Sequence, residues 1–350
     1  MQEANLSLLR CPVSKSALTL HKISTEIKKF RNSDVEIIQD GILYAAQHWF
    51  YPVINGIPRL TVEAFIDYQE FLLKHCPDYS VRRQALEEQF PEVIAKVTKK
   101  NKKTKESFSL EWSIYHYDAD KTWDADGPAM FSRFLKETKE TEASLLTKTI
   151  FDAGCGNGYL SQIIATHAEF VVAMDFSNSI ERAYHNNVEG NILFIQGDIQ
   201  FPPVLASYFD IVQCSGILMH TNNTEFSLTC IAPTVKKGGK LSAWLYHPRK
   251  DLIHNFFNRI RKYTSKFPLR FQYYLLMSTI FPLSYIVKRL KGNKQNKREM
   301  IIDILDWFTP EFRWEHTHDE ARSWFRSLDY TSVEITTEDT FGFNITGVRS

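Results

Sequence analysis

A glycine-rich turn near the middle of the chain is the feature whose residue types point most directly to chemistry. Residues 151–160 read FDAGCGNGYL, so that an apolar segment ends at Asp152 and glycines follow at positions 154, 156 and 158. Glycine allows a tight turn and lets a ligand approach the backbone without a Cβ in the way. The spacing is not that of a dinucleotide fingerprint, which has a small residue where Tyr159 stands, and no Lys-Ser or Lys-Thr pair follows as in a P-loop.

Acidic residues recur at matching positions of the next two apolar segments. Asp175 ends the first of them, 23 residues after Asp152, and an acid at this position can accept both ribose hydroxyls of a nucleoside. Asp198 ends the next one in the sequence QGDI, where a carboxylate can accept a hydrogen bond from an adenine amino group. Ligands bind at the carboxyl ends of parallel strands, so we expect these acids to converge with the glycine turn on one nucleoside site.

The elements that would position these residues follow a regular order from Thr149 onward. Apolar strands alternate with helices, which predicts an α/β, Rossmann-like fold with a parallel sheet covered on both faces and right-handed crossovers. The predicted strands are TIFDA, FVVAMD, ILFIQGD, FDIVQCSG and KLSAWLY. After Pro248 the alternation stops for about 60 residues, and it resumes with a helix near His318–Leu328 and the strands SVEITTE and FNITGVR.

This order of motifs resembles the class I S-adenosylmethionine-dependent methyltransferases over about residues 149–246. The tail from Asp306 to Phe325 is similar to that of a UbiE-like subgroup, although Leu328-Asp329-Tyr330 lacks the glycine that relatives usually carry before the aromatic residue. The resemblance implies a seven-stranded sheet with an antiparallel last strand, and S-adenosylmethionine as cofactor. It places the methionine moiety at Asp152, Gly154, Cys155 and Gly156, the ribose at Asp175, the adenine at Phe176, Asp198 and Ile199, and the sulfonium near Cys214, Ser215 and Gly216. Gly158 and Ser177 complete the expected cofactor-binding set.

Methyl transfer requires alignment of the acceptor and exclusion of water, and it requires a base only if a proton must leave the acceptor. His220 follows the fourth predicted strand and is the first candidate for this base, or else a residue that shapes the loop and contacts the cofactor. The other candidates are Tyr115, His116 and His247, followed by His316 and His318. The absence of an Asn-Pro-Pro-Tyr or Asp-Pro-Pro-Tyr motif after this strand disfavours a nucleobase as the acceptor.

The first 62 residues predict a small β-rich module, with the strand segments ALTLH, GILYAA and HWFYPV. Together with LLRCPVS at 8–14, these segments resemble the Trm112-like domain, which occurs alone or fused to methyltransferases. Ser14 stands where a second cysteine ligand would be, and no cysteine pair follows before Cys76. A tetrahedral thiolate site cannot be built from these residues, so no metal is expected.

Residues 63–140 predict a helical and aromatic region on the substrate side. A lysine run at 96–105 is expected to be a solvated linker. The aromatic stretch FSLEWSIYHY at 108–117 could line a pocket or belong to the core. The third region, residues 141–350, is the predicted methyltransferase domain with a helical insertion at about 250–310.

Within the insertion, the segment 271–287 contains no charged residue and is flanked by lysines and arginines. It is shorter than the roughly 20 apolar residues of a spanning helix. We expect a lid that buries its apolar face over the active site. The alternative is peripheral contact of residues 271–298 with an anionic membrane. The two are compatible if the acceptor is linked to a lipid.

The composition narrows the function further. The 350 residues include 42 Lys and Arg and 41 Asp and Glu, and this balance disfavours a nucleic-acid-binding protein. Five scattered cysteines favour a reduced, cytoplasmic protein. The sequence therefore predicts a methyltransferase acting on O, N or C of a small or medium metabolite. The alternatives are an enzyme that modifies tRNA or protein, with the N-terminal module binding the partner, and a scaffold without catalysis.

Overall fold

The computed structural model of the chain describes residues 1–114, 126–249 and 251–350. Tyr115 and His116 lie outside the described residues. The N-terminal region forms four strands followed by six helices. These are β1 (Thr19–Lys29), β2 (Asp34–Tyr44), β3 (Phe50–Ile54), β4 (Ile57–Leu60), α1 (Ala64–Asp67), α2 (Gln69–His75), α3 (Tyr79–Gln89), α4 (Pro91–Ile114), α5 (Gly127–Thr138) and α6 (Glu142–Leu145).

The predicted alternation of strands and helices begins at Thr149, as expected. Its elements are β5 (Thr149–Ala153), α7 (Tyr159–Ala165), β6 (Phe170–Asp175), α8 (Ser179–His185), β7 (Ile192–Gly197), β8 (Phe209–Ser215), α9 (Thr224–Ile231) and β9 (Val235–Tyr246). The chain continues through α10 (Leu252–Thr264), α11 (Leu269–Ser278), α12 (Ile280–Leu290), α13 (Lys297–Phe308), α14 (His318–Ser327), β10 (Tyr330–Glu338) and β11 (Gly342–Arg349).

The sheet confirms the predicted α/β fold. The strands from β5 onward lie in the order β7-β6-β5-β8-β9-β11-β10, and β11 is antiparallel to both of its neighbours. Strands β5 to β8 pair in parallel and are almost entirely buried, because helices cover both faces. The carboxyl ends of these four strands therefore meet along one edge, as the sequence predicts.

The N-terminal strands continue this same sheet. β4 pairs in parallel with β7 through Arg59 opposite Gln196 and Leu60 opposite Gly197, so that the described sheet has 11 strands. The fully buried Arg59 guanidinium also donates to Glu181 at 3.1 Å. The pairing of β4 with β7 was not predicted from the sequence, because a contact of only two residue pairs leaves no periodic pattern. Strand β1 also runs well beyond the predicted ALTLH, since an edge strand tolerates its exposed charged residues.

Two expectations about the helices were wrong. The lysine run is not a flexible linker but part of α4, where Lys96, Lys99 and Lys102 are exposed as expected and Lys105 pairs with Asp67 at 2.5 Å. The segment 271–287 forms α11 and part of α12, yet it leaves Phe271 55%, Tyr274 71% and Leu283 59% exposed. Helix α12 has no buried residue because it packs on one side only, against α11 and α13. None of the helices in the described residues has the length and apolarity to cross a membrane.

Candidate active site

The turn between β5 and α7 requires glycine for two physical reasons. Gly154, Gly156 and Gly158 have φ angles of +99°, +55° and +72°, in the region that side-chain-bearing residues avoid. Close neighbours also leave no room for a Cβ. A Cβ on Gly154 would overlap the side chain of Ile217, and one on Gly156 would lie 2.8 Å from the Trp112 ring. The turn is thus held tightly between β5 and two other parts of the chain.

Asp152 is buried at the end of β5 and is held by two donors. Ser161 Oγ donates to its Oδ2 at 2.5 Å, and Gln213 Nε2 donates to its Oδ1 at 3.1 Å. Burial raises the pKa of Asp152, whereas these hydrogen bonds oppose the rise. The carboxyl group is therefore fixed in orientation under the glycine turn.

Asp175 ties the glycine turn to the loop after β6. Its Oδ2 accepts from the backbone N–H of Gly156 at 2.8 Å, and its Oδ1 accepts from the backbone N–H of Ser177 at 2.8 Å. The hydroxyl groups of Ser177 and Ser179 add donors at 2.6 and 3.2 Å. Burial raises the pKa of Asp175 and the four donors oppose this rise. Ser179, Ser161 and Gln213 were missed by sequence reasoning, because a supporting hydrogen bond leaves no spacing pattern.

These residues open onto a cleft of about 200 Å³ at the carboxyl ends of β5 to β8. The cleft is lined by most of the predicted cofactor residues, namely Asp152, Gly154, Cys155, Gly156, Asp175, Phe176, Ser177, Asp198, Ile199, Ser215 and Gly216. Two predicted residues do not line it. Cys214 is fully buried in the core, because successive strand residues point to opposite faces. Gly158 begins α7, and a Cβ there would meet Ala183 and Phe194.

His220 lines the cleft at the end of a short 3₁₀ turn, Leu218–His220. Its Nδ1 lies 3.0 Å from the carbonyl oxygen of Phe312, which can only accept, so the proton resides on Nδ1. The ring also makes edge-to-face contacts with Phe108 and Tyr246. Burial lowers the pKa of His220 to about 3, so the imidazole is neutral at ordinary pH.

The cleft does not include the other histidine candidates that the structure describes. His247, His316 and His318 do not line it. His316 instead pairs with the Thr224 hydroxyl at 2.9 Å, and His318 packs on the Phe343 ring.

One face of α4 covers the cleft, and most of it was missed by the sequence interpretation. Thr104, Phe108, Glu111 and Trp112 follow one another at spacings of four, three and one, which places them on one side of a helix. Phe108 and Trp112 belong to the aromatic stretch for which the sequence left open a place in a pocket or in the core. The structure places both residues in the lining of the cleft. Further lining residues, which the sequence interpretation did not assign to a pocket, come from α5, α13 and the segment after it, namely Met130, Arg133, Phe134, Glu137, Asp306 and Phe312.

No metal site is visible in the parts of the chain that the structure describes, since no three His, Cys, Asp or Glu side chains gather there as ligands would. Cys11 is buried, and its Sγ lies 3.2 Å from the hydroxyl of Tyr51. Ser14, at the position of the second ligand, contacts this sulfur through its backbone N–H at 3.4 Å.

Comparison with known proteins places the similarity in the same part of the chain. Residues 151–243 match a family model described as a methyltransferase domain. A ubiquinone biosynthesis O-methyltransferase from Coxiella burnetii is 33% identical over 105 residues, which are 29% of this chain and 45% of that protein. The mitochondrial enzyme of the same name from Schizosaccharomyces pombe is 31% identical over 136 residues, 34% of this chain and 48% of that protein. The chain thus spans about half the length of the curated relatives it matches.

Among solved structures, a magnesium protoporphyrin IX methyltransferase from Synechocystis PCC 6803 with bound S-adenosylhomocysteine covers 71% of this chain. The match spans 97% of that structure at 15% identity, with a TM-score of 0.41.

Proposed function

We propose that the chain is an S-adenosylmethionine-dependent methyltransferase that acts on a small or medium-sized organic acceptor. The observation that carries the proposal is the cleft in which three consecutive strand ends contribute Asp152, Asp175 and Asp198 beside a glycine turn of positive φ. The match of residues 151–243 to a methyltransferase domain supports the same activity. The names of the curated relatives, which refer to O-methylation in ubiquinone biosynthesis, support a small-molecule acceptor.

The residues of the cleft suit this cofactor in their chemistry. The glycine turn leaves backbone surface bare for the methionine part, and the acids at the ends of β6 and β7 suit ribose and adenine, which both donate hydrogen bonds. When bound, the cofactor supplies an activated methyl group. The chain then has to align the acceptor and exclude water, and the face of α4 that carries Phe108 and Trp112 provides an apolar cover.

Calorimetry with S-adenosylmethionine tests the proposal. Asp175→Asn should weaken binding about 10- to 100-fold, as expected for loss of a hydrogen bond to a charged group. Asp210→Asn is the matched control, because Asp210 is tied to Thr149 and Lys236 and does not line the cleft. Labelled methyl transfer from the cofactor into a cell extract should be lost in Asp152→Ala. Absence of cofactor binding by the wild-type protein would contradict the proposal.

The proposal includes peripheral contact with an anionic membrane surface through residues 271–298. From residue 252 to residue 298 the sequence contains no Asp or Glu and 11 Lys or Arg. Exposed apolar side chains lie within the same region, among them Phe271, Tyr274, Leu283, Ile286 and Leu290. Apolar groups beside a one-signed positive charge are complementary to the headgroups and acyl boundary of an anionic bilayer. A lipid-linked acceptor would be reached from this position.

The N-terminal module, residues 1–62, is proposed to be a Trm112-like unit with a supporting role and no metal. Its strand β4 pairs with β7, and Asp198 follows directly after β7, so the module supports the strand end that carries Asp198. The division into this module, a substrate-side region at 63–140 and a methyltransferase domain at 141–350 is part of the proposal. A cytoplasmic location is also proposed, because none of the five cysteines, all within the described residues, forms a disulfide.

A further inference from the structure

Three polar side chains of the cleft are not explained by binding of an adenosine-type cofactor. They are Glu111 on α4, His220 after β8 and Asp306 on α13, and we call them the acidic corner. All three line the cleft and are at most 9% exposed. Asp306 Oδ1 lies 3.9 Å from His220 Nε2, which is too far for a hydrogen bond. The sequence brings these residues from three distant segments, so only the fold assembles them.

Two atoms of the acidic corner have no hydrogen-bond partner among the residues that the structure describes, namely Glu111 Oε2 and His220 Nε2. Because the His220 proton resides on Nδ1 against the Phe312 carbonyl, Nε2 is an acceptor. Glu111 Oε2 is an acceptor in the ionised carboxylate, which is the form that the positive charge of a bound sulfonium would favour. A buried acceptor without a donor is unfavourable, so both atoms favour a ligand that donates hydrogen bonds.

The charges around Glu111 are of one sign. Burial and then the negative charges of Asp306, Asp303 and Asp175 raise the pKa of Glu111 well above its usual range. Asp306 is better compensated, since Tyr246 donates to it at 3.1 Å and the Arg313 charge opposes the rise of its pKa. A ligand carboxylate would add another negative charge beside Glu111, whereas a hydroxyl group or an amine would supply the missing donor.

We infer that the acidic corner holds the reacting atom of the methyl acceptor, that this atom is a hydroxyl oxygen or an amine nitrogen carrying a proton, and that Glu111 takes up that proton. The inference rests on the proposed methyltransferase function and deepens it. In the step, a bond forms between the acceptor atom and the methyl carbon. The carbon–sulfur bond breaks with its electron pair remaining on sulfur, and the acceptor's proton moves to the Glu111 carboxylate. The charges of the sulfonium and the carboxylate are both neutralised.

In this arrangement Glu111 is the catalytic residue and His220 is a positioning residue. Its Nε2 accepts a hydrogen bond from the acceptor group, and its low pKa keeps it neutral. The raised pKa of Glu111 means that a transferred proton is held firmly. A bound cationic sulfonium would favour the ionised form of Glu111 before the reaction.

The chemical class of the product tests the acceptor assignment without knowledge of the acceptor. The protein is incubated with methyl-labelled S-adenosylmethionine and a cell extract, and the labelled products are treated with alkali and then with hot hydroiodic acid. Methyl esters of carboxylates release the label in alkali, whereas methyl ethers and N-methyl groups release it only in the acid, ethers at lower temperature. Release in the acid is expected. Release in alkali, or retention throughout as in C-methyl groups, would overturn the inference while leaving the methyltransferase function intact.

The role of Glu111 is tested with Glu111→Gln, which keeps the shape of the side chain and removes the proton acceptor. We expect a loss of turnover of at least tenfold, with S-adenosylmethionine affinity by calorimetry unchanged within about twofold. The rise of the wild-type rate with increasing pH should disappear in this variant, a change that a merely structural residue would not produce. Glu106→Gln is the control, because Glu106 is exposed on the same helix.

Other outcomes of this experiment would speak against the inference. A large loss of cofactor affinity in Glu111→Gln would assign Glu111 to the cofactor and overturn its role as the base. Unchanged turnover with an unchanged pH profile would overturn it as well. Absence of labelled product with the wild-type protein would contradict the proposed methyltransferase function itself, and it is distinguished from these results because each of them requires labelled product from the wild-type protein.

Discussion

Single residues of this protein are tuned by burial more than by neighbouring charge. His220 shows this clearly: it is 3% exposed, its Nδ1 is committed to a backbone carbonyl, and the nearby cations Arg313 and Arg261 add to the effect of burial. Asp152 and Asp175 are just as buried, but each is surrounded by donors that favour the charged form. In all three residues burial is the largest influence on the pKa, and the hydrogen-bond partners only reduce the shift that it causes.

The buried His220 should make stability depend on pH. Its pKa is lowered to about 3, whereas the unfolded chain has the ordinary value of 6.5. Between these values the unfolded state binds the proton, so stability is complete above pH 6.5 and is lost as the pH falls. From pH 7 to pH 5 this residue should account for a loss of about 2 kcal/mol in the free energy of unfolding.

Urea unfolding of the wild type and of His220→Asn at both pH values measures this contribution. Asn keeps a donor for the Phe312 carbonyl and does not titrate, so the variant should lose less stability on acidification. Burial raises the pKa of Glu63 to about 7, so protonation of Glu63 increases the free energy of unfolding as the pH falls. This contribution is the same in both proteins and cancels in the comparison. Equal losses in the two proteins would contradict the assignment.

At the scale of elements, the strand-to-helix turn after β5 is the most constrained part of the structure. Its backbone has positive φ at three glycines, and Ile217 and Trp112 from other segments pack directly on two of them. Gly216, after β8, also has a positive φ of +77°, but a Cβ there would meet nothing within 4 Å. A comparison of Gly154 with Gly216 therefore separates the effect of backbone strain, which is present at both positions, from that of steric collision, which is present only at Gly154.

Alanine at Gly154 should therefore be far more damaging than alanine at Gly216. Both substitutions impose backbone strain of about 1–3 kcal/mol. Only Gly154→Ala also drives a Cβ into the Ile217 side chain. Thermal unfolding of both variants should show a larger drop in melting temperature for Gly154→Ala, and its S-adenosylmethionine affinity should fall as well. Equal drops would mean that the turn moves to accommodate the extra carbon.

At the scale of the whole molecule, the charge is segregated. The net formal charge is only +1, yet the acid-free stretch 252–298 carries 11 of the 42 basic residues. The exposed apolar face of α11 and α12 lies in this stretch. These helices do not line the cleft, so their exposed side chains are free for a surface outside the protein.

Sedimentation with vesicles tests the membrane contact. The protein should bind vesicles of phosphatidylcholine with phosphatidylglycerol, bind phosphatidylcholine alone much less, and be released at high salt. A triple variant changes Lys291, Lys294 and Lys297 to Glu. It should bind the anionic vesicles at least tenfold more weakly, because each basic residue near the surface contributes about 1 kcal/mol to membrane binding. The control changes Lys96, Lys99 and Lys102 of α4, which are equally exposed, to Glu. Equal weakening by both variants would show that net charge alone is responsible.

The sequence by itself determined the central sheet and the side of the cleft formed by the strand ends, where the cofactor is proposed to bind. Strand periodicity, the glycine spacing and the acids at successive strand ends are local features, and the parallel topology brings such strand ends together without further information. Thus Asp152, Gly154, Gly156, Asp175 and Asp198 line one cleft, as the order of the strands predicts, and their contacts with a cofactor stay a prediction.

Only the tertiary structure decided the opposite side of the cleft, where the acceptor is proposed to bind, and the contacts between the N-terminal region and the central sheet. The pairing of β4 with β7, the cover formed by α4, the acidic corner and the exposure of α12 all depend on contacts between segments far apart in the chain. Such contacts leave no period in the sequence, because each is set by which surfaces remain to be buried after the sheet has formed. Cys214 illustrates the limit: its position along β8 was predictable, but its orientation into the core was fixed by the packing on both faces of the sheet.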